Sequence, residues 1–274
     1  MNKISKLLKG ISAIIQKPYL INKVIDDESW FFDTIKKVYP QYAQGFLIVE
    51  LNQLLPEVNE TIEPFAFLGG GSLPTDLLLL KGLAKQYPEC FYFEIGTWRG
   101  ESAANVSAVT PNVYTLNLTN QELTRLGYGE EYLKQQGLFS NKINTITHLR
   151  GNSTNFDFSP YYGKCDVVFI DGDHRYDGVL NDTKIAFKLV KDDNSVIVWH
   201  DYINHSFDIR WDVVQGILDG CETNNLKHLY HVNNSLSAIF TKKDLKPVSN
   251  KPILTPNKIF KVKIDSKNYK KSPF

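Results

Sequence analysis

The sequence predicts an α/β protein, a doubly wound and mostly parallel sheet with helices on both faces and an antiparallel hairpin at its end. Three observations predict it. From residue 90 onward, short apolar runs recur without strict alternation, which is how strands buried on both faces read. Segments of roughly 15 to 27 residues separate them, several with helical period, as βαβ units require. Near the end, "LKHLYHV" and "LSAIFTKK" flank Asn233-Asn234-Ser235, a hairpin signal.

The elements follow in order. Residues 1–65 read as a helical, irregular N-terminal extension or cap. Its first stretch, "MNKISKLLKGISAIIQKPYLINKVI", mixes lysines with Ile, Leu and Ala at near-helical spacing. Lys9 interrupts the apolar stretch that a signal peptide needs, and no small-residue cleavage site follows. A basic amphipathic helix can lie on a membrane; the plainer reading is a helix packed on its own domain or on a second subunit. Gly69-Gly70-Gly71 reads as a loop, after which Ser72 or Thr75 can cap a helix running to about Tyr87, where Pro88 stops it. The strands are "CFYFEI", "VYTLNL", "ITHLR", "CDVVFI" and "VIVWH". The clearest helix between them is "DGVLNDTKIAFKLV", with Val179, Thr183, Ala186, Phe187 and Val190 on one face. Residues 66–245 make up the main domain. Residues 246–274 form a basic C-terminal extension in which "KIFKVKI" is expected to add an edge strand.

Composition narrows the function classes. With 274 residues and a net charge of +1, nothing global points to nucleic acid, and no nucleic-acid partner is expected. No apolar run is long enough to span a bilayer. Cys90, Cys165 and Cys221 have no metal-ligand spacing and read as buried thiols of a reducing compartment, which places the chain in the cytoplasm.

In an open parallel sheet, ligands bind beyond the carboxyl ends of the strands. The residues there are Glu94, Gly96, Thr97, Gly100, Glu101 and Ser102 after the first strand, Asn117 after the second, and Gly151, Asn152 and Ser153 after the third. Asp171 to His174 follow the fourth, and His200, Asp201 and Tyr202 the fifth. Polar residues at all five ends imply one shared pocket. The first turn, Gly96-Thr97-Trp98-Arg99-Gly100, lacks the second glycine of a dinucleotide fingerprint, and no P-loop lysine is present. An acidic entry residue and a bulky Trp98 suit a positively charged ligand better than a diphosphate.

"FEIGTWRGESA" resembles the first motif of class I S-adenosylmethionine-dependent methyltransferases. "CDVVFIDGDHRYDGVLNDTKIAFKLVKDDNSVIVWHDY" resembles the fourth-to-fifth-strand block of the branch with a DGxHxY sequence, which includes sugar and small-molecule O-methyltransferases; "LRGNS" matches its usual turn. The resemblance covers about residues 75 to 241. It implies a Rossmann-like sheet of seven strands and S-adenosylmethionine as cofactor. Glu94 and the Gly96–Gly100 loop, with Thr97 and Ser102, would hold the methionine part; Asn152 and Ser153 would border the adenine; Asp171 would lie near the transferring methyl. The family places Asp or Glu where this chain has Asn117, so the ribose loses a charge-assisted hydrogen bond there.

For a hydroxyl acceptor the chemistry needs a base. His174 is the first candidate and His200 the second; either can instead simply orient a loop. Asp171 and Asp201 could share Mg²⁺ or another divalent cation. The acceptor is expected to be a small molecule, walled by the N-terminal region and residues 119–144, with Tyr128, Tyr132, Phe139, Tyr202 and His205 as lining candidates. A homodimer is the expected assembly. Two other readings stand beside this one. Asp171, Asp173, His174, His200 and Asp201 could form a metal-dependent hydrolase site, although that leaves the glycine turn unexplained. Asn117 could mark a non-catalytic cofactor-binding relative.

Overall fold

The computed structural model describes residues 2–21, 29–55, 57–251, 253 and 255–268. Its sheet has the order β1-β7-β8-β6-β5-β2-β3-β4. The strands are β1 (Leu47–Val49), β2 (Phe91–Ile95), β3 (Asn112–Asn117), β4 (Ile146–Arg150), β5 (Val167–Ile170), β6 (Val196–Trp199), β7 (Leu229–Val232) and β8 (Ala238–Phe240). Only the β6–β8 and β7–β8 pairs are antiparallel. The fold class is the expected one, with eight strands where seven were expected. The additional strand is β1, which lies inside the N-terminal region and pairs parallel with β7. Three residues are too few for a strand pattern to register against the helical signal around them.

β5 and β6 are buried along their whole length, as their continuous apolar runs predicted. Successive side chains enter different cores. Phe93, Ile95, Val168, Ile170 and Trp199 pack on one side of the sheet with Ala186 and Ile217. Tyr92, Phe169, Val198 and Val113 pack on the other with Leu79, Leu83 and Ala103. Each fully buried Val, Leu, Ile or Phe contributes about 1.5–3 kcal/mol, so the two-sided burial of the central strands anchors the frame that holds the site.

The helices are α1 (Lys3–Gln16), α2 (Ser29–Val38), α3 (Leu51–Leu54), α4 (Pro74–Ala84), α5 (Glu101–Ser107), α6 (Asn120–Arg125), α7 (Glu130–Leu133), α8 (Tyr176–Leu189) and α9 (Trp211–Gly220). α4 is apolar almost all round and correspondingly buried from Asp76 to Ala84. Neither Ser72 nor Thr75 caps it. The carboxylate of Asp76 does so, accepting from Leu73 N at 2.8 Å, a role that a search for Ser or Thr at the cap passes over. α8 carries the expected face, with Val179, Thr183 and Ala186 buried and Trp199 Nε1 donating to Thr183 Oγ1 at 2.9 Å.

The two ends depart from expectation. α1 forms, capped by the Asn2 side chain on Ser5 N, yet none of its residues is buried. "KIFKVKI" forms no strand. The edge it would need is taken, because Val248 N donates to Ile48 O and Ile48 N donates to Ser249 O. Glu50 holds Asn257 and Lys258, and Ile259 beyond them is fully exposed.

Candidate active site

The site grows from the strand register. Ile95 is paired with both Leu116 and Ile170, and Ile170 with Trp199. The ladder runs on one step beyond them. Gly96 N donates to Leu116 O, Asp171 N to Ile95 O, and His200 N to Ile170 O, all at 2.8–2.9 Å. Asn117, Gly96, Asp171 and His200 therefore sit side by side. The chain leaves β2 toward β3 on one side and β5 lies on the other, so this edge is the topological switch point.

Two glycines shape the first loop. Gly96 has φ +95° and its Cα faces the β5 backbone, where an added Cβ would lie 2.1 Å from Asp171 O. Gly100 has φ +81° and opens α5 against Ser140. Glu94 is fully buried beneath this loop, accepting from Tyr92 Oη at 2.8 Å, from Thr97 Oγ1 at 2.9 Å and from Ser102. Burial pushes its pKa up to about 7, with those three hydroxyls pulling the other way. Thr97 and Ser102, expected beside the ligand, thus turn their hydroxyls to Glu94. Arg99 stacks on Trp98 and pairs with Glu101 at 3.0 Å. Tyr132 stacks on Trp98 in turn, and Tyr128 on Tyr132 with ring centroids 4.2 Å apart, a three-ring ladder bordering the loop.

Asn117 is committed on both sides of its amide. Its Nδ2 donates to Thr97 O at 2.7 Å and to Gln136 Oε1, while Oδ1 accepts from Leu118 N. Gln136, absent from the sequence reading, lies in the irregular insertion, where no spacing singles it out. Asn152 Oδ1 accepts from the backbone N and hydroxyl of Thr154, closing the turn after β4. Ser153 hydrogen-bonds the buried Asp182, whose carboxyl burial pushes up to about 6 against the pull of Ser153 and Asn181.

The charged centre lies beyond β5 and β6. His200 Nδ1 is 3.1 Å from Asp171 Oδ1 and 3.3 Å from Asp201 Oδ2; its Nε2 is 3.7 Å from Asp76 Oδ2. Burial opposes a charge on this imidazole, but the surrounding carboxylates raise its pKa well above the ordinary histidine value. Burial likewise opposes the charge on Asp201; His200, His174 and Arg210 outweigh it and hold that carboxyl well below its usual range. Neither His200 nitrogen makes an aligned hydrogen bond. His174 Nδ1 approaches Asp201 Oδ2 at 3.1 Å from the solvent side, and Arg210 donates to the His174 carbonyl at 2.9 Å. Asp201 holds φ +55°, a left-handed conformation that Asp and Asn tolerate best among side-chain-bearing residues.

The candidate base His174, the candidate metal ligands Asp171 and Asp201, and His200 are thus one cluster. Ligand atoms of Asp171, His200 and Asp201 lie within 4.8 Å of one another. Two carboxylates and a poorly aligned imidazole nitrogen are a donor set that fits a divalent cation. From the sequence, His200 stands as the second candidate base and as one member of the metal-dependent hydrolase set. Asp76, which no sequence pattern singles out, accepts from Leu236 N and Ser237 Oγ and so ties α4 and the turn before β8 to the cluster. Of the lining candidates, Tyr202 is buried, its hydroxyl accepting from Phe46 N at 2.7 Å, so it supports the core instead of an open wall. His205 is exposed, and Phe139 donates its N–H to Arg99 O, supporting the first loop.

Residues 93–202 match the family model described as a methyltransferase domain. That span includes the glycine loop, Asp171, His174, His200 and Asp201. The match covers 110 of the 274 residues. Over 140 residues the chain is 30% identical to the uncharacterized protein R132 of Acanthamoeba polyphaga mimivirus, covering 48% of this chain and 60% of that one. The chain thus spans less than two thirds of that relative. Among solved structures, it is similar to the S-adenosylhomocysteine-bound methyltransferase PaMTH1 of Podospora anserina, with 15% identity, 80% of this chain and 88% of that one covered, and a TM-score of 0.42. It is also similar to CalS11, a TDP-rhamnose 3'-O-methyltransferase of calicheamicin biosynthesis, with 12% identity, coverage of 62% and 80%, and a TM-score of 0.40.

Proposed function

We propose that this protein transfers the methyl group of S-adenosylmethionine to a hydroxyl oxygen of a small molecule or sugar. The observation that carries the reading is the 3.1 Å approach of His174 Nδ1 to Asp201 Oδ2, at the mouth of the same edge that holds the glycine loop. When bound, the cofactor supplies an electrophilic methyl on a sulfonium, and Asp171, 27% exposed at the switch point, offers that cation a carboxylate. Asp201 accepts the Nδ1 proton of His174, which leaves Nε2 as the basic nitrogen. That nitrogen is placed to take a proton from an acceptor hydroxyl, and the methyl with its sulfur leaving group would come from the cofactor. The Tyr128–Tyr132–Trp98 ladder offers a flat apolar face on which an acceptor ring can lie.

A divalent cation, if taken up, would be held by Asp171, His200 and Asp201, and would lower the pKa of a coordinated hydroxyl. The acceptor is a small molecule and not a nucleic acid, and the working assembly is a homodimer. Three free, buried cysteines suit a reducing cytoplasm. One observation favours the second reading, a non-catalytic relative. Asn117 already spends its amide on Thr97, Gln136 and Leu118, leaving little for a ribose.

Calorimetric titration with S-adenosylmethionine and S-adenosylhomocysteine, with and without Mg²⁺, tests the cofactor. Mass spectrometry of a panel of sugars and phenols incubated with enzyme and cofactor tests the acceptor. Cofactor binding without a product mass shift of one methyl on any hydroxyl acceptor turns the reading toward the non-catalytic alternative. Absence of cofactor binding overturns the assignment.

A further inference from the structure

We propose that α1 is an interfacial anchor that binds an anionic lipid surface. The helix places Ile4, Leu7, Leu8, Ile11, Ile14 and Ile15 along one stripe, at spacings of three and four residues. In a helix with this pattern a core-facing stripe is buried, whereas here Ile4 is 69% and Ile15 73% exposed, with Leu7, Leu8 and Ile11 exposed between them. A helix of 14 residues is marginal in water without something against its apolar face. Nothing on the described part of this chain buries it.

Charge says what covers it. Lys3, Lys6, Lys9 and Lys17 occupy the remaining circumference, and no acidic residue occurs before Asp26. None of the four lysines has an acidic partner among the described residues. Pairing with the α1 of a second copy would bring like charges together, without the complementary flanking charges that paired helices use. The stripe also spans about a third of the circumference, wider than a coiled-coil seam and suited to lying in a plane. Lys3 borders the stripe, where its methylenes can lie along apolar surface and its ammonium reach a headgroup.

The distribution over the whole chain agrees. Residues 1–25 and 251–274 together hold twelve lysines and one acid, in a protein whose net charge is only +1. The intervening body therefore carries ten more acidic than basic side chains and is repelled by the surface that attracts the ends. Docking is helix-first, with the methyltransferase domain held off the lipid.

The test uses the full chain and flotation with two kinds of vesicle, phosphatidylcholine alone and phosphatidylcholine with about one-third phosphatidylserine, across a range of salt. The expected result is binding about tenfold or more stronger to the phosphatidylserine vesicles, weakening as salt rises. Leu7→Glu and Ile11→Glu should each abolish it, and Lys6→Glu with Lys9→Glu should remove the anionic preference. All four positions are exposed, so the melting temperature and cofactor binding of the variants should match the unaltered chain. Equal binding by Ile11→Glu and the unaltered chain would overturn the proposal and assign the attraction to the basic C-terminal extension. Absence of binding to either vesicle would also overturn it. A concentration-dependent dimer that Ile11→Glu dissolves, with no lipid binding, would give the face to a second copy instead.

Discussion

His174 Nδ1 lies 3.1 Å from Oδ2 of Asp201, the same oxygen that stands 3.3 Å from His200 Nδ1. One carboxylate oxygen therefore faces two imidazoles, one half-buried at the mouth and one buried beneath. Asp201→Asn keeps the left-handed backbone available and removes the charge. The expected outcome is a fall in kcat of about 10²-fold or more with the KM for S-adenosylmethionine little changed. Steady-state kinetics on the acceptor found in the panel would check it; a fall confined to KM would reduce Asp201 to a binding role.

Gly96 gives the sharpest structural prediction. Gly96→Ala must place a methyl against the carbonyl of Asp171, at a backbone angle that side chains avoid. It should destabilise the fold by about 2–4 kcal/mol and separate the ends of β2 and β5. Thermal melting and cofactor calorimetry would both register the change, and a variant with native stability and affinity would refute the close approach described here.

Glu94 predicts a pH dependence of cofactor binding. In the free protein its carboxyl holds a proton up to about pH 7, because it is buried. A cation beside it favours the ionised form. Affinity for S-adenosylmethionine should therefore rise between about pH 6 and 8, while S-adenosylhomocysteine, neutral at sulfur, should show a flatter profile. Glu94→Gln should flatten the first profile too. Identical pH profiles for the two ligands would place the sulfonium outside the reach of Glu94.

Asp182 predicts a pH dependence of stability. Its folded carboxyl titrates at about 6 against an ordinary 3.8. The folded state thus binds more protons than the unfolded state between those values. Stability should fall as pH rises from about 4 to about 6 and stay at the lower level above, by at most ~3 kcal/mol. Asp182→Asn preserves size and should remove this component. Chemical denaturation at several pH values would show it, and an unchanged slope in the variant would contradict the assignment.

Much of the frame was legible because it rests on burial. β5 and β6 announce themselves as unbroken apolar runs, and α8 by a face that repeats every three to four residues. The residues at the strand ends were legible for a related reason, since polar groups that follow a buried strand have only the sheet edge to occupy. What stayed hidden depends on contacts distant in sequence. Asp76 reads as one helix-terminal acid among many, and only the meeting of α4 with the turn before β8 brings it to His200. Gln136 meets Asn117 through a loop without periodic pattern. The hydroxyls of Thr97 and Ser102 were expected to face a ligand, but a buried carboxylate beneath the loop competes for them. β1 was missed because three residues carry too little pattern to outweigh their surroundings.

β1 also sets the order in which the molecule can be assembled. Its partner on one side is Tyr230 and its neighbours, and on the other side Val248 and Ser249 close over Ile48. A segment made early in synthesis therefore has no hydrogen-bonding partners until nearly two hundred further residues have been added, and loop closure over such a span is slow. Until then Leu47, Ile48 and Val49 present an open strand edge, of the kind that pairs with the wrong chain. The last strands and the segment after them are thus what finishes the fold. A chain stopped just before Val248 would carry a complete glycine loop and charged centre on a sheet whose first strand was never sealed.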